Sequence, residues 1–151
     1  SKLAEKGLKH FKLPRPLLHS NGLDFSFSGL KTAVLYLVRK QKKLTKEIKA
    51  DIAYAFEDSI TDVLVKKTIQ ALKQEDLKRV IISGGVGANK TLRKKIIAEC
   101  NQNEFEYFFP DLTFCTDNGA MIALAGSLRL NMPSKENYSF SVKPRWKLTE
   151  I

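Results

Sequence analysis

The sequence has few of the residues that carry metal, redox or nucleophilic chemistry. Its 151 residues include two cysteines, Cys100 and Cys115, and two histidines, His10 and His19. Two cysteines at this spacing match no ligand motif, so they predict buried thiols in a reducing compartment. The histidines are not the i,i+4 pair of a helical metal site, and no Ser-His-Asp order is legible. A complete metal site within this chain is therefore not expected.

Long apolar runs are also absent. No stretch approaches the roughly 20 consecutive apolar residues that cross a bilayer, and the first ten residues contain no apolar signal core. The sequence thus predicts a soluble, cytoplasmic protein with no membrane partner. With 43% hydrophobic residues, the chain is long enough for one domain with its own core. It starts at Ser1 inside a helix pattern, which indicates a cut rather than a natural beginning.

Acidic residues are scarce in the first third of the chain. Residues 1–50 hold 12 Lys and Arg against three acids, a net charge of +9, whereas residues 51–151 add only +1. A block such as RKQKK at residues 39–43 is commonly a solvated helix end. A basic half beside a neutral half also favours an acidic partner, with nucleic acid first. Charge alone leaves both interpretations open.

A strand that turns into a helix is predicted early in the chain. Residues 23–28 alternate between apolar and polar side chains, which is the period of a half-buried strand, and Gly29 should end it. A helix pattern follows. We therefore expect Ser26, Ser28 and Lys31 to cluster at the carboxyl end of a strand, where ligands collect in open α/β sheets.

The remaining pattern predicts an α/β protein with helices on a mixed or parallel sheet. The predicted elements are a helix over 30–40, a helix over 45–78 capped by Thr45 and either continuous or broken near Asp58, a strand at Val80–Ile82, a helix from Asn89 to about Cys100, one or two strands within FEYFFPDLTFC, and a helix from Asn118 to about Leu130. The apolar strand is typical of a central strand covered on both faces. Trp146 and Leu148 are expected to pin an irregular tail.

The loop Ser83–Ala88 (SGGVGA) follows this apolar strand. Its glycines let the backbone approach a ligand, and the next helix start offers N–H groups to an anion. However, the spacing to Lys90 does not fit a Walker A loop, and Lys90 stands where GxGxxG needs its third glycine. Nucleotide contact and a structural turn both remain open. Asn89 can serve as a ligand hydrogen-bonder or as a helix cap.

The stretch CTDNGAMIA, residues 115–123, places an acid and an amide at a predicted helix start. Asp117 or Asn118 there is a normal cap. As a metal ligand, Asp117 would need two or three partners, normally histidines, cysteines or carboxylates. The residues alone therefore favour the cap.

Four motifs in this order, DFSFSGLKTAV, ISGGVGANKTLR, CTDNGAMIALAG and KPRWKL, resemble the C-terminal half of the TsaD family, formerly called Gcp or O-sialoglycoprotein endopeptidase. The similarity covers nearly the whole chain, and FKLPRP is similar to the bacterial branch. The resemblance implies a lobe of the actin/Hsp70/sugar-kinase (RNase H-like) fold, with a mixed sheet and flanking helices. Residues 1–151 would be the C-terminal lobe of a two-lobe protein, beginning just after the family's Tyr-Pro-Gly-Gly-Pro stretch.

The resemblance also implies a reaction. TsaD proteins transfer a threonylcarbamoyl group from threonylcarbamoyl-AMP to the N6 amine of the adenosine beside the anticodon, in tRNAs that read codons starting with A. The implied partners are tRNA, TsaB-like and TsaE-like proteins, and the chain's own N-terminal lobe. The nucleotide ligand would be threonylcarbamoyl-AMP or ATP.

Site residues follow from the matched motifs. The family's adenylate-contacting asparagine falls on Asn89, and the loop that lies against the nucleotide includes Gly84 and Gly85. Its aspartate ligand of iron or zinc falls on Asp117. The other two ligands are histidines of a His-x-x-x-His motif that this sequence lacks, so the chain alone is expected to be inactive. No general base is assigned.

Two alternatives remain. The chain is either a stand-alone basic module that binds nucleic acid or protein, or a metallopeptidase, as the older family label has it. The second lacks a His-Glu-x-x-His arrangement. If a partner lobe is missing, uncovered apolar area predicts a homodimer or marginal solubility of the isolated chain.

Overall fold

The chain contains helices and a small parallel sheet, which confirms the predicted α/β class. A computed structural model describes residues 2–131. The chain divides into two compact units, Ser1–Asp117 and Asn118–Ile151. Trp146 and Leu148, expected to pin the tail, lie outside the described residues. Within residues 2–131, no helix is both long and apolar enough to span a bilayer.

Four helices and two strands form the described part of the chain. They are α1 (Ser28–Arg39), α2 (Lys46–Gln74), β1 (Arg79–Ile81), α3 (Lys90–Gln102), β2 (Glu106–Phe108) and α4 (Gly119–Ser127). Short 3-10 turns occupy Ala4–Lys6, Gly85–Ala88 and Leu112–Phe114. The last helix, α4, belongs to the second unit.

Helix α2 is the scaffold of the first unit. Thr45 caps it, because its hydroxyl accepts the Ile48 N–H at 3.3 Å. The helix runs 29 residues without a break at Asp58. Its second half packs with α3 and the sheet in one apolar cluster, which includes Ile69 and Ile96. Its first half packs with α1 and the N-terminal segment in another, centred on Leu30.

The N-terminal segment, residues 8–22, runs along α2 and is fastened to it by polar contacts. The carboxylate of Asp51 accepts the Leu8 N–H at 2.6 Å and contacts His10 Nδ1 at 2.7 Å. These contacts hold the pKa of Asp51 below its usual range, the Leu8 N–H contributing most. Further along, Gln70 donates to the Asn21 carbonyl at 2.9 Å. The segment therefore follows the helix in the same direction.

Lys67 of α2 is almost completely buried, with 1% of its surface exposed. Its ammonium donates to the Ser20 carbonyl at 2.7 Å, to the Ser20 hydroxyl at 2.9 Å and to the Gly22 carbonyl. Three oxygen acceptors match its three N–H donors, which offsets part of the cost of burial. This lysine fixes the turn that leads into α1.

An ion-pair cluster joins the N-terminal segment, α2 and α3. Arg15 contacts Asp58 and Asp62 at 2.6 Å each. Lys95 contacts the same two carboxylates at 2.7 and 2.6 Å. Each carboxylate thus bridges two cations, and each of these side chains is less than 30% exposed. We call Arg15, Asp58, Asp62 and Lys95 the ion-pair cluster.

The sheet differs from the prediction in two respects. β1 and β2 pair in parallel, with Val80 opposite Tyr107. Ile81 is 75% exposed, so the expectation that this strand is covered on both faces is wrong for this chain. The strand predicted over residues 23–28 is also wrong. Residues 23–27 are irregular, since none of the described strands pairs with them, and Ser28 and Gly29 lie inside α1.

Both cysteines are free and buried, as predicted. Burial raises the pKa of the Cys100 thiol, and the nearby Glu99 charge adds to the effect. A buried thiol with a raised pKa is a poor nucleophile. Cys115 accepts a hydrogen bond from Arg93 at 3.2 Å.

Candidate functional site

The glycine loop, residues 83–88, joins β1 to α3 and leaves open space at its first turn. Gly84 has φ +82°, a backbone conformation that side chains with a Cβ rarely adopt. No atom lies within 4 Å of the position that a Cβ on Gly85 would take. Gly87 is different, because a Cβ there would lie 3.4 Å from the Ile82 carbonyl oxygen. Gly84 and Gly85 therefore offer accessible backbone just before the N-terminus of a 13-residue helix.

Asn89 caps α3, which confirms one of its two predicted roles. Its Oδ1 accepts the Leu92 N–H at 2.8 Å. Its Nδ2 donates to Glu57 Oε1 at 2.7 Å. The other oxygen of Glu57 accepts from the Thr91 hydroxyl at 2.9 Å. The Asn89 amide is thus oriented from two sides, and its second Nδ2 hydrogen has no acceptor among the described residues.

A cavity of about 300 Å³ lies beside Asn89, between α2 and the glycine loop. Apolar side chains such as Phe56, Leu64 and Val86 form much of its wall, and Glu57 and Asn89 supply polar groups. A mostly apolar pocket with a few polar groups is typical of a small-molecule site. A larger cleft of about 730 Å³ lies along residues 9–19. We regard the smaller cavity as the candidate site because Val86 of the glycine loop and the Asn89 cap line it.

Arg93 connects the glycine loop to the segment that leads to Asp117. Its Nε donates to the Gly87 carbonyl at 2.6 Å, and its Nη2 donates to the Pro110 carbonyl at 3.0 Å and to the Cys115 sulfur. Its guanidinium lies over the Phe109 ring, 4.7 Å from the centroid. One side chain therefore joins the two regions that the sequence motifs single out.

Asp117 is exposed, and it has no hydrogen bond or ion pair within residues 2–131. It is not the helix cap, since Asn118 accepts the Met121 N–H at 3.0 Å and caps α4. Among the described residues, no group of three His, Cys, Asp or Glu side chains could hold a metal ion. The residues present therefore do not form a metal site, because one carboxylate leaves an ion mostly to water.

The sequence did not predict the roles of Glu57 and Arg93, and the predicted cluster of Ser26, Ser28 and Lys31 does not lie at the end of a strand. Glu57 and Arg93 act over 32 and 22 residues of separation, so no local pattern marks them. Ser28 and Lys31 lie in the exposed first turn of α1, not at the end of a strand. Within the candidate site, local sequence signals predicted the glycine loop and the Asn89 helix cap.

The chain is similar in sequence to one family of known proteins. The family model for TsaD, tRNA N6-adenosine threonylcarbamoyltransferase, matches residues 1–124. A protein of Herminiimonas arsenicoxydans named tRNA N6-adenosine threonylcarbamoyltransferase is 53% identical over all of this chain and 46% of its own length. A protein of the same name from Nitrosomonas eutropha is 54% identical over 93% of this chain and 43% of its own length. One from Burkholderia ambifaria is 52% identical over 100% of this chain and 46% of its own length.

The chain belongs to the TsaD family. It spans less than half the length of the curated relatives it matches.

Proposed function

We propose that residues 1–151 are the C-terminal lobe of a two-lobe TsaD transferase with the actin/Hsp70/sugar-kinase type of fold. The complete protein transfers a threonylcarbamoyl group from threonylcarbamoyl-AMP to N6 of the adenosine beside the anticodon. This chain alone is inactive. The observation that carries the proposal is the open glycine loop with the oriented Asn89 at its end, in a chain of this family.

In this proposal the chain binds and orients the adenylate. The phosphate of the adenylate lies against the accessible backbone of Gly84 and Gly85 and the N-terminus of α3. Asn89 donates its remaining amide hydrogen to the adenylate. The N6 amine attacks the carbamoyl carbon, the carbon–oxygen bond of the mixed anhydride breaks, and AMP leaves with the bonding electrons. The amine releases one proton, for which no residue of this chain is assigned as the base. Closure against the N-terminal lobe excludes water that would hydrolyse the anhydride.

We further propose that Asp117 supplies one ligand of an Fe²⁺ or Zn²⁺ site whose other ligands lie outside this chain. Its exposed carboxylate, without a described partner, is consistent with that role. The proposed partners are tRNA, TsaB-like and TsaE-like proteins and the N-terminal lobe, in the cytoplasm. Without that lobe, exposed residues such as Ile81 and Val86 make a homodimer of the isolated chain the expected state, which light scattering would detect.

The transfer reaction tests the proposal directly. The full-length protein containing this chain is incubated with its TsaB-like and TsaE-like partners, threonylcarbamoyl-AMP and a tRNA that reads codons starting with A. Mass spectrometry of the digested tRNA should find threonylcarbamoyl-adenosine, and none with the 151-residue chain alone. A full-length protein that binds the adenylate without any transfer would contradict the proposal.

The basic first third supports a second candidate, a stand-alone nucleic-acid-binding module. An immunoblot of the source cells separates the two. A band near 17 kDa, the mass of this chain, would favour the module, and a band near twice that size the transferase. The metallopeptidase alternative lacks a His-Glu-x-x-His motif in this sequence, and no other observation favours it.

Glu57 is predicted to position Asn89 for the adenylate. In the full-length protein, Glu57→Ala removes the carboxylate that holds the Asn89 amide at 2.7 Å. Hydrogen bonds to charged groups contribute about 1.5–3 kcal/mol, so we expect KM for threonylcarbamoyl-AMP to rise roughly tenfold, with a smaller change in kcat.

Two further variants make this test specific. Glu57→Gln keeps one acceptor and should restore part of the affinity. Glu75→Gln, at the exposed end of α2, serves as the matched control and should leave KM unchanged. An unchanged KM in Glu57→Ala, in protein of normal thermal stability, would show that Glu57 does not orient Asn89.

A further inference from the structure

One face of α1, the turn that follows it and the first turn of α2 carry a dense set of basic side chains. Seven cations occur between residues 31 and 49, and the only acid in that span is Glu47. All seven are exposed. They are Lys31, Arg39, Lys40, Lys42, Lys43, Lys46 and Lys49. We call them, together with Leu35 and Tyr36 between them, the α1 basic surface.

The acids near this surface are already engaged. The carboxylate of Glu47 turns back to its own backbone N–H and to the Thr45 side chain, and these bonds hold its pKa below the usual range. Asp51 is occupied by the Leu8 N–H and His10. Within residues 2–131, none of the seven cations has an ion-pair partner. Residues 31–49 thus carry seven positive charges against the single negative charge of Glu47, so the electrostatic potential there is strongly positive.

The packing of α1 fixes which side carries the charge. Leu30, Val34 and Leu37 pack into the cluster with α2. On the outer side, residues four apart form two rows, one with Lys31, Leu35 and Arg39 and one with Thr32, Tyr36 and Lys40. Tyr36 faces solvent, with 58% of its surface exposed. A helix of 12 residues is about 18 Å long, so the rows present charge along an extended line.

This arrangement suits a nucleic acid better than an acidic protein. Six of the seven cations are lysines, flexible point charges that neutralise phosphates without reading sequence. An exposed aromatic ring beside them can stack on an unpaired base. A stable protein interface would instead need a desolvated core depleted in charge.

We propose that the α1 basic surface binds the phosphodiester backbone of the tRNA, with the Tyr36 ring stacking on an unpaired base. The inference rests on the proposed transferase function and assigns a docking surface separate from the glycine loop. The surface lowers KM for tRNA and contributes little to the transfer step, because its side chains lie on an outer face of the first unit.

The test uses the full-length protein carrying Arg39→Gln, Lys40→Gln and Lys43→Gln together. Its matched control carries Lys66→Gln, Lys73→Gln and Lys94→Gln, three exposed cations on α2 and α3. Both variants lose the same net charge, so a general effect of charge would appear in both. Binding of unmodified tRNA is measured by fluorescence anisotropy at several salt concentrations.

We expect the first variant to bind tRNA at least about tenfold more weakly at low salt, and the slope of log Kd against log salt to fall by about two, since each lost phosphate contact removes roughly 0.7–0.9. The control should change neither quantity comparably. Tyr36→Ala should weaken binding roughly tenfold, and Tyr36→Phe should restore it. Affinity for threonylcarbamoyl-AMP should stay unchanged in all variants.

Equal losses in the variant and its control, or an unchanged salt slope, would overturn the proposal. If the variant binds tRNA normally but no longer binds the TsaB-like partner, the surface is a protein-binding surface instead. Failure of the transferase function is distinguishable, because the unsubstituted protein would then bind tRNA without modifying it.

Discussion

Replacing Asp117 with alanine in the full-length protein is expected to lower the transfer rate at least about 100-fold and to remove most of the bound metal. Loss of residues that only support a metal ligand already costs about 10–100-fold, so loss of a ligand should cost more. The thermal stability of the metal-free protein should match that of the unsubstituted metal-free protein, because this exposed carboxylate has no partner within residues 2–131. Metal content by plasma mass spectrometry and the transfer rate are measured on the same sample.

Asp111 provides the matched control in the same segment. Its carboxylate accepts the Thr113 N–H at 3.0 Å, and that bond holds the pKa of Asp111 below its usual range. Asp111→Ala should therefore lose a local cap and keep both metal and transfer. Full metal content in Asp117→Ala would exclude Asp117 as a ligand, whatever the rate.

Replacing Lys95 with methionine is expected to lower the free energy of unfolding of this chain by about 2–4 kcal/mol. Removing one partner of a buried ion pair leaves uncompensated charge and typically costs about 3–5 kcal/mol. The ion-pair cluster is partly exposed, so the expected loss is smaller than that for a fully buried pair. Urea denaturation measures the loss, and Lys94→Met, one residue earlier and exposed, should change it by less than about 0.5 kcal/mol.

The pH dependence gives this prediction a second readout. Burial raises the pKa of Asp62, but hydrogen bonds from Lys95 and Arg15 outweigh burial and hold it below the usual value. That contribution is present above about pH 4 and is lost as the pH falls through the folded pKa. Burial lowers the pKa of Lys95, but its bonds to Asp58 and Asp62 raise it overall, so its contribution is present below about pH 10 and is lost as the pH rises further.

The difference between the unsubstituted chain and Lys95→Met should therefore be constant near neutral pH and shrink at both extremes. A difference that is independent of pH would mean that Lys95 stabilises the fold by packing alone.

Local signals predicted the elements whose formation depends on neighbouring residues. Thr45 and Asn89 could be named as caps because a cap acts within three residues along the chain. The glycine loop was recognisable because a positive φ at Gly84 needs glycine.

The remaining features depend on tertiary contacts. The alternating residues 23–28 would form a strand only with a pairing partner, and none of the described strands provides one. Helix α1 consequently begins earlier than predicted, at Ser28. Glu57 and Arg93 gain their roles only when α2 and the 110–115 segment fold against α3. No periodicity in the sequence encodes such pairs.

The contacts that fasten residues 8–22 to α2 also set an order of assembly. They join residues separated by 41 to 53 positions along the chain. Forming each contact therefore costs loop-closure entropy. The contacts offset this cost only when α2 is already a continuous helix. The α2–α3 cluster needs none of these contacts. We therefore expect the N-terminal segment to dock after the α2–α3 cluster and to detach before it, which amide hydrogen exchange would show as weaker protection of residues 8–22 than of α3.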